Sequence, residues 1–151
     1  MLFRSEIFVR LKAFLAGRPC RPYIGPFDVL LPDSAAADED AVRTVVQPDI
    51  SVYCDRSRVR ERGGFGAPDI AVEVLSPWTH KKDLNEKLEL YERHGVREYW
   101  IVDPGNRSIL VFRPDEGGRY GDPRVLVPPS VLESAILEGF RLELEGLFTA
   151  D

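Results

Sequence analysis

Asp49, Glu73 and Lys87 are charged residues set in segments whose patterning otherwise asks for burial. In DIAVEVLS, alternation puts Asp69, Ala71, Glu73 and Leu75 on one face of a strand and Ile70, Val72 and Val74 on the other. In VVQPDISVYC, Gln47, Asp49, Ser51 and Tyr53 likewise share a face, opposite Ile50, Val52 and Cys54. Each strand therefore has one apolar face and one that carries carboxylates. A lone carboxylate is costly to bury, so a mid-strand glutamate needs a cation, a hydrogen-bond donor or water. The plain alternative is an exposed sheet face or an ion pair with a neighbouring arginine. Lys87 raises the same question on a helix. At about 100° per residue, Leu84, Leu88, Leu90, Tyr91 and His94 span one arc, and Lys87 projects inside it. Its ammonium can snorkel to water, or it can reach Asp49 and Glu73 if the helix folds back over their strands.

The elements needed for that placement are legible along the chain. Leu2, Ile7, Leu11, Phe14 and Leu15 form the stripe of a first helix, stopped by Gly17 and Pro19. YIGPFDVLL and VVQPDISVYC read as strands, separated by the acidic, Ala-rich PDSAAADEDAVR, a solvated loop. DRSRVRERGGFGAP, with Arg56, Arg58, Arg60 and Arg62, is a turn-rich connection to DIAVEVLS, so the two carboxylate strands can form an antiparallel hairpin. The GGFG segment lacks the lysine and spacing of a phosphate loop and reads as a turn. DLNEKLELYERHG is the clearest helix, with capping-box spacing at Asp83 and Glu86 and a stop at Gly95. EYWIVD and SILVFR are strands around a PGN turn, and LEGFRLELEGLF adds a short strand and a helical turn.

Composition narrows the function classes. The 151 residues suit one globular domain, 1–151, with a substantial core. A formal net charge of −5 provides no global positive field for nucleic acid, so a polyanion would have to be bound locally. Cys20 and Cys54 sit in no metal-binding or redox spacing, and the expectation is two buried free thiols in a reduced compartment. The N-terminal segment has helical spacing rather than a secretory or membrane-spanning pattern, so a cytoplasmic protein without a membrane span is expected.

VVQPDISV, followed by GAPDIAVEVLSPWTHKKDLNEKLELYERHGVREYWIVDP, resembles the Uma-two family of restriction endonucleases, a branch of the PD-(D/E)XK nuclease superfamily. The resemblance covers residues 4 to 147, and APDIAVEVLSP with the K-x-x-x-Y-x-x-x-G-V-x-E-Y-W-I-V-D-P run is its most specific portion. It implies an α/β (α+β) fold with a restriction-endonuclease-like core, a mixed central sheet flanked by helices. Asp49 and Glu73 match the two acidic positions. The superfamily lysine, two residues past the second acid, is replaced by Leu75, and in this branch the lysine has migrated to the following helix, at Lys87. Family members commonly carry a YELIDGE-like hairpin before the first helix, whereas this chain begins inside that helix, which implies a domain short at its N-terminus.

The chemistry so implied is metal-assisted hydrolysis of DNA phosphodiester bonds. Asp49 and Glu73, with the carbonyl of Val74, would hold Mg²⁺ or Mn²⁺ through hard oxygen ligands, and Lys87 would orient water or stabilise the phosphate. Further candidates are weaker. Asp69 could be an additional ligand or simple strand-start chemistry, and Gln47 a water or phosphate contact or a sheet-face polar residue. Tyr91 is a site residue or packing, and His80, Lys81 and Lys82 form a basic loop at the cleft mouth or a merely solvated one. His94 favours the helix dipole and is structural. The resemblance also suggests a homodimer. Two other functions remain open: a nuclease fold that binds nucleic acid or protein without cutting, and a metal phosphoesterase acting on nucleotides.

Overall fold

Apolar residues on both faces of the central strands require cover on both sides, and the architecture follows from that demand. The computed structural model describes residues 2–34 and 37–149, with only the backbone at Leu2. The elements run α1 (Leu2–Leu15), β1 (Arg21–Ile24), β2 (Val29–Leu31), β3 (Thr44–Val46), β4 (Ile50–Tyr53), β5 (Val59–Arg60), β6 (Gly63–Phe65), β7 (Ile70–Val74) and α2 (Lys81–His94). They continue as β8 (Glu98–Asp103), β9 (Ser108–Phe112), β10 (Arg124–Leu126), β11 (Val131–Glu133), β12 (Arg141–Glu143) and α3 (Leu144–Thr149).

The main sheet has six strands in the order β1-β4-β7-β8-β9-β10. Only β7 and β8 pair in parallel, joined by α2 as the crossover, so the sheet is mixed. One face buries Ile50, Val52, Ile70, Val72, Val74, Trp100 and Val102 against Ile7, Leu11 and Leu15 of α1 and Leu144 and Leu147 of α3. The other buries Ala71, Tyr99, Ile101 and Phe112 against Leu84, Leu88, Leu90 and Tyr91 of α2 and against β2 of a second sheet, ordered β3-β2-β6-β5. The mixed sheet flanked by helices is as expected. The sequence stripe on α1 is present at Ile7, Leu11 and Leu15, while the Leu2 side chain lies outside the described residues.

Several sequence expectations need correction. YIGPFDVLL is two strands, because Pro26 has no N–H to continue a ladder and the chain crosses there from the main sheet to the second one. VVQPDISVYC divides in the same way around Pro48. β4 and β7 are antiparallel neighbours, but β5 and β6 intervene and belong to the other sheet. GGFG is not a turn: Gly63–Phe65 is β6, and a Cβ at Gly64 would collide with the Tyr53 ring. The acidic run carries a 3-10 turn at Glu39–Ala41 and ion pairs from Glu39 to Arg60 and Asp40 to Arg62; its Ala35 and Ala36 lie outside the described residues. The cysteines are not free. Arg21 stands opposite Tyr53, so the next residues outward, Cys20 and Cys54, face each other across β1 and β4 and form a disulfide. No helix among the described residues is long and apolar enough to cross a membrane.

Candidate active site

Strand register brings the two acids together. Ile50 pairs with Val72 in the antiparallel β4–β7 ladder, which sets Asp49 beside Glu73 just past the end of the ladder. Glu73 in turn pairs with Ile101 on the parallel partner β8. Alternation turns both carboxylates to the face covered by α2. The Asp49 carboxylate accepts a hydrogen bond from the Val74 N–H at 2.6 Å, tying the first acid to the strand of the second. Gly25 comes close behind Asp49: its N–H donates to the Asp49 carbonyl at 2.8 Å, and a Cβ there would lie 3.1 Å from the Pro48 carbonyl.

α2 supplies the cation that reaches Glu73, while Arg4 of α1 lies 3.7 Å from Asp49 Oδ1. α2 starts at Lys81 and ends where Gly95 adopts φ +85°, a left-handed conformation in which the Gly95 N–H caps the last turn. The expected capping box is absent: His80 is the N-cap without a side-chain bond, and Asp83 lies within the first turn. From this helix Lys87 places Nζ 3.3 Å from Glu73 Oε2, and Tyr91, one turn on, donates its hydroxyl to the same oxygen at 2.9 Å. Lys87 therefore does not snorkel away from the sheet; its stem packs inward and its ammonium pairs, while 37% of the side chain stays exposed.

Asp49, Glu73, Val74, Lys87 and Gln47 line one cavity of about 210 Å³. Glu73 is 6% exposed. Burial pushes its carboxyl above the ordinary range; Lys87 and the Tyr91 hydrogen bond act against that, and Asp49 adds to it. Burial also pushes the Tyr91 hydroxyl far up, so it remains a protonated donor. Glu98, the other buried carboxylate, sharpens the comparison. Its oxygens accept from Trp100 Nε1, Arg113 Nε, Ser134 Oγ and the Ala135 N–H, a saturated structural role with no capacity left for a ligand. Glu73 has both its protein donors on one oxygen and faces a cavity.

The weaker candidates separate. Gln47 lines the cavity and donates its amide to Asp28 Oδ1 at 2.7 Å. Asp69 is absent from the lining: its carboxylate accepts from the Cys54 N–H at 2.7 Å and pairs with Arg97 at 3.0 Å. His80, Lys81 and Lys82 are not a loop but the N-cap and first residues of α2, outside the cavity lining, with Lys82 on the solvent side pairing with Glu86. His94 bonds the Leu90 carbonyl through Nδ1 at 2.9 Å, a helix-end contact. Two polar lining residues were not foreseen as part of the site, Thr79 and Asp83, and Leu75 and Leu84 complete the lining. Asp83 was traceable, since it precedes Lys87 by one helical turn and so shares its face. Thr79 carried no signal; its hydroxyl accepts from the Ser76 N–H at 3.0 Å and closes the loop after β7.

A divalent cation fits this donor set. Two carboxylates and a backbone carbonyl are hard oxygen donors, and Mg²⁺ is commonly held by one or two carboxylates with water completing its shell. Among the described residues no group of three or more His, Cys, Asp or Glu side chains converges as a ligand cluster.

The family model described as "Uma2: Putative restriction endonuclease" matches residues 4–145. The chain belongs to the Uma2 family. Its fold is similar to that of a crystal structure described as a "putative nuclease belonging to DUF820" from Anabaena variabilis ATCC 29413, with a TM-score of 0.76 and 22% identity over 98% of this chain and 79% of that one. None of the curated proteins matches the chain. Family and fold together support a nuclease function.

Proposed function

We propose that the chain is a metal-dependent endonuclease that hydrolyses DNA phosphodiester bonds, with Asp49, Glu73 and Lys87 as its catalytic residues. The observation that supports this most directly is the ion pair of Lys87 with Glu73 at 3.3 Å, inside a cavity that Asp49 also lines. Asp49, Glu73 and the Val74 carbonyl would hold Mg²⁺ or Mn²⁺. When bound, such an ion supplies a water of lowered pKa and neutralises charge developing on the phosphate. Val74 fixes one Asp49 oxygen through its N–H, and a cation would take the other oxygen, which the Arg4 guanidinium approaches at 3.7 Å. Tyr91 holds Glu73 by one oxygen and leaves the other for the cation. Lys87 shares that held oxygen and, being partly exposed, swings the short distance needed to hold the attacking water or a phosphate oxygen.

The test is incubation of the purified protein with plasmid and with single-stranded DNA in Mg²⁺, Mn²⁺ or EDTA, alongside Glu73→Gln. Cleavage by the wild type that disappears both in EDTA and in the variant is expected. Cleavage that persists in Glu73→Gln would overturn the assignment, and binding of DNA without any cleavage would leave a nuclease fold used as a scaffold.

A further inference from the structure

A second cavity lies away from the carboxylates. It has a volume of about 610 Å³ and lies between the C-terminal half of α1, β1 and the turn after β4. Its lining includes Lys12, Arg18, Arg21 and Arg56 but no carboxylate, in a chain whose net charge is −5. Among the described residues none of these four cations forms an ion pair with an acid. The contrast within DRSRVRER is direct. Arg60 pairs with Glu39, Arg62 pairs with Asp40, and Arg58 donates to the Phe65 carbonyl, whereas Arg56 lines the cavity and has no acidic partner among the described residues. Asp55 beside it is occupied by the N–H and hydroxyl of Ser57.

The cavity wall also carries an aromatic platform. Tyr23 and Phe27 stack at 4.7 Å with an interplanar angle of 18°, and both rest edge-on against Tyr53. Cations without acidic partners, two of them resting over rings (Arg18 over Phe14 at 4.2 Å, Lys12 over Phe8 at 5.9 Å), beside a stacked aromatic pair suit phosphates and unstacked bases together, which is how proteins hold single strands. β1 runs from this groove toward the carboxylate site. Arg21 opens β1, and Gly25, the first residue past its end, donates to the Asp49 carbonyl at 2.8 Å. At about 3.3 Å per residue, that path is about 13 Å, the reach of a few nucleotides.

We infer that this groove is a binding track for an unpaired nucleic-acid strand flanking the phosphodiester held at Asp49 and Glu73, with Lys12, Arg18, Arg21 and Arg56 on the phosphates and Tyr23 and Phe27 under a base. The choice of a nucleic-acid occupant rests on the nuclease function proposed above. Duplex DNA keeps its bases stacked within the helix and leaves the aromatic platform unused, so the track selects single strands, frayed ends or flaps.

The test uses the full chain in EDTA, so that nothing is cut, and reads the fluorescence anisotropy of a labelled oligothymidylate over a range of salt. Arg21 and Arg56 are exposed, so the double charge reversal Arg21→Glu with Arg56→Glu keeps the fold, which circular dichroism checks. The variant should bind at least about tenfold more weakly near 0.1 M salt, with a salt slope shallower by about 1.4, two contacts at about 0.7 each. Unchanged affinity and slope would overturn the track, as would equal competition by poly-glutamate, which marks a site for acidic peptides, or equal binding of blunt duplex. Turnover of bis(p-nitrophenyl) phosphate, a diester too short to reach the groove, keeps the two proposals apart. Metal-dependent turnover with variant-insensitive DNA binding removes the track and leaves the nuclease; no turnover, with charge-dependent single-strand binding, removes the nuclease and leaves the track.

Discussion

The carboxylate of Asp49 and the backbone N–H of Val74 are joined at 2.6 Å, so the strand that carries the second acid also fixes the first. Asparagine can accept the same hydrogen bond through its amide oxygen, so Asp49→Asn should keep the fold and lose only the charge. A cation at about a hundred times its dissociation constant stabilises the wild type by about 2.7 kcal/mol, a rise of about 5 to 10 °C in melting temperature. The variant should show no such rise in Mg²⁺. Equal shifts in the two proteins by differential scanning fluorimetry would place the cation elsewhere.

Lys87→Met retains a stem of similar length that packs beside Leu90 and Tyr91. Its fold should survive, while the cleavage rate falls by about 2 to 4 orders of magnitude. Leu75→Lys in that background returns an ammonium to the usual superfamily position and should recover part of the rate, within the limits set by crowding at a half-buried site. Wild-type rates from the single variant would reduce Lys87 to a surface ion pair.

Glu73 couples stability to pH with a definite sign. Its folded-state carboxyl is raised, chiefly by burial, so the fold favours the protonated form. The associated stability is complete below the unfolded value of about 4.3 and is lost as pH rises through the folded value. In EDTA, Glu73→Gln, which cannot ionise, should therefore gain on the wild type as pH rises from acid to neutral. In Mg²⁺ the wild type should recover, because a cation favours the ionised carboxylate. Melting curves of the two proteins that stay parallel across this range in EDTA would rule the coupling out.

Two neighbouring tyrosines should respond differently to loss of their hydroxyls. Tyr91 donates to Glu73, and removing that donor from a buried carboxylate should cost about 1 to 3 kcal/mol and raise the Glu73 carboxyl further. The ring of Tyr99 packs against that of Tyr91 with centroids 4.8 Å apart, and its buried hydroxyl has no partner among the described residues, so Tyr99→Phe should be neutral or stabilising. Urea denaturation of the two phenylalanine variants tests the contrast, and equal losses would contradict it.

The parts of this architecture that sequence revealed are those governed by local periodicity. β7, β8, β9 and α2 each announce their faces, and the odd charges at Glu73 and Lys87 stand out against those faces. What stayed hidden depends on pairing at a distance. Gly25 and Pro26 mark a break between Tyr23 and Leu31, but nothing local shows that the strands on either side of it join different sheets. The Cys20–Cys54 bond follows from the β1–β4 register, which neither strand encodes alone. The groove cations resemble any solvated charge until the acids that would pair with them are seen to be engaged elsewhere.

Because the lysine arrives on α2 and the acids arrive on the sheet, the proposed mechanism makes competence depend on how one helix is seated, not on whether the sheet exists. α2 presents a largely half-buried face and rests on Tyr91 as its one fully enclosed side chain, whereas the strands beneath are buried on both sides. Such a helix can lift in a partial opening that costs far less than global unfolding. Amide exchange along Lys81–His94 should then set the temperature at which activity fades, several degrees before the sheet itself gives way, and a ligand that clamps the helix would act as an activator without touching either acid.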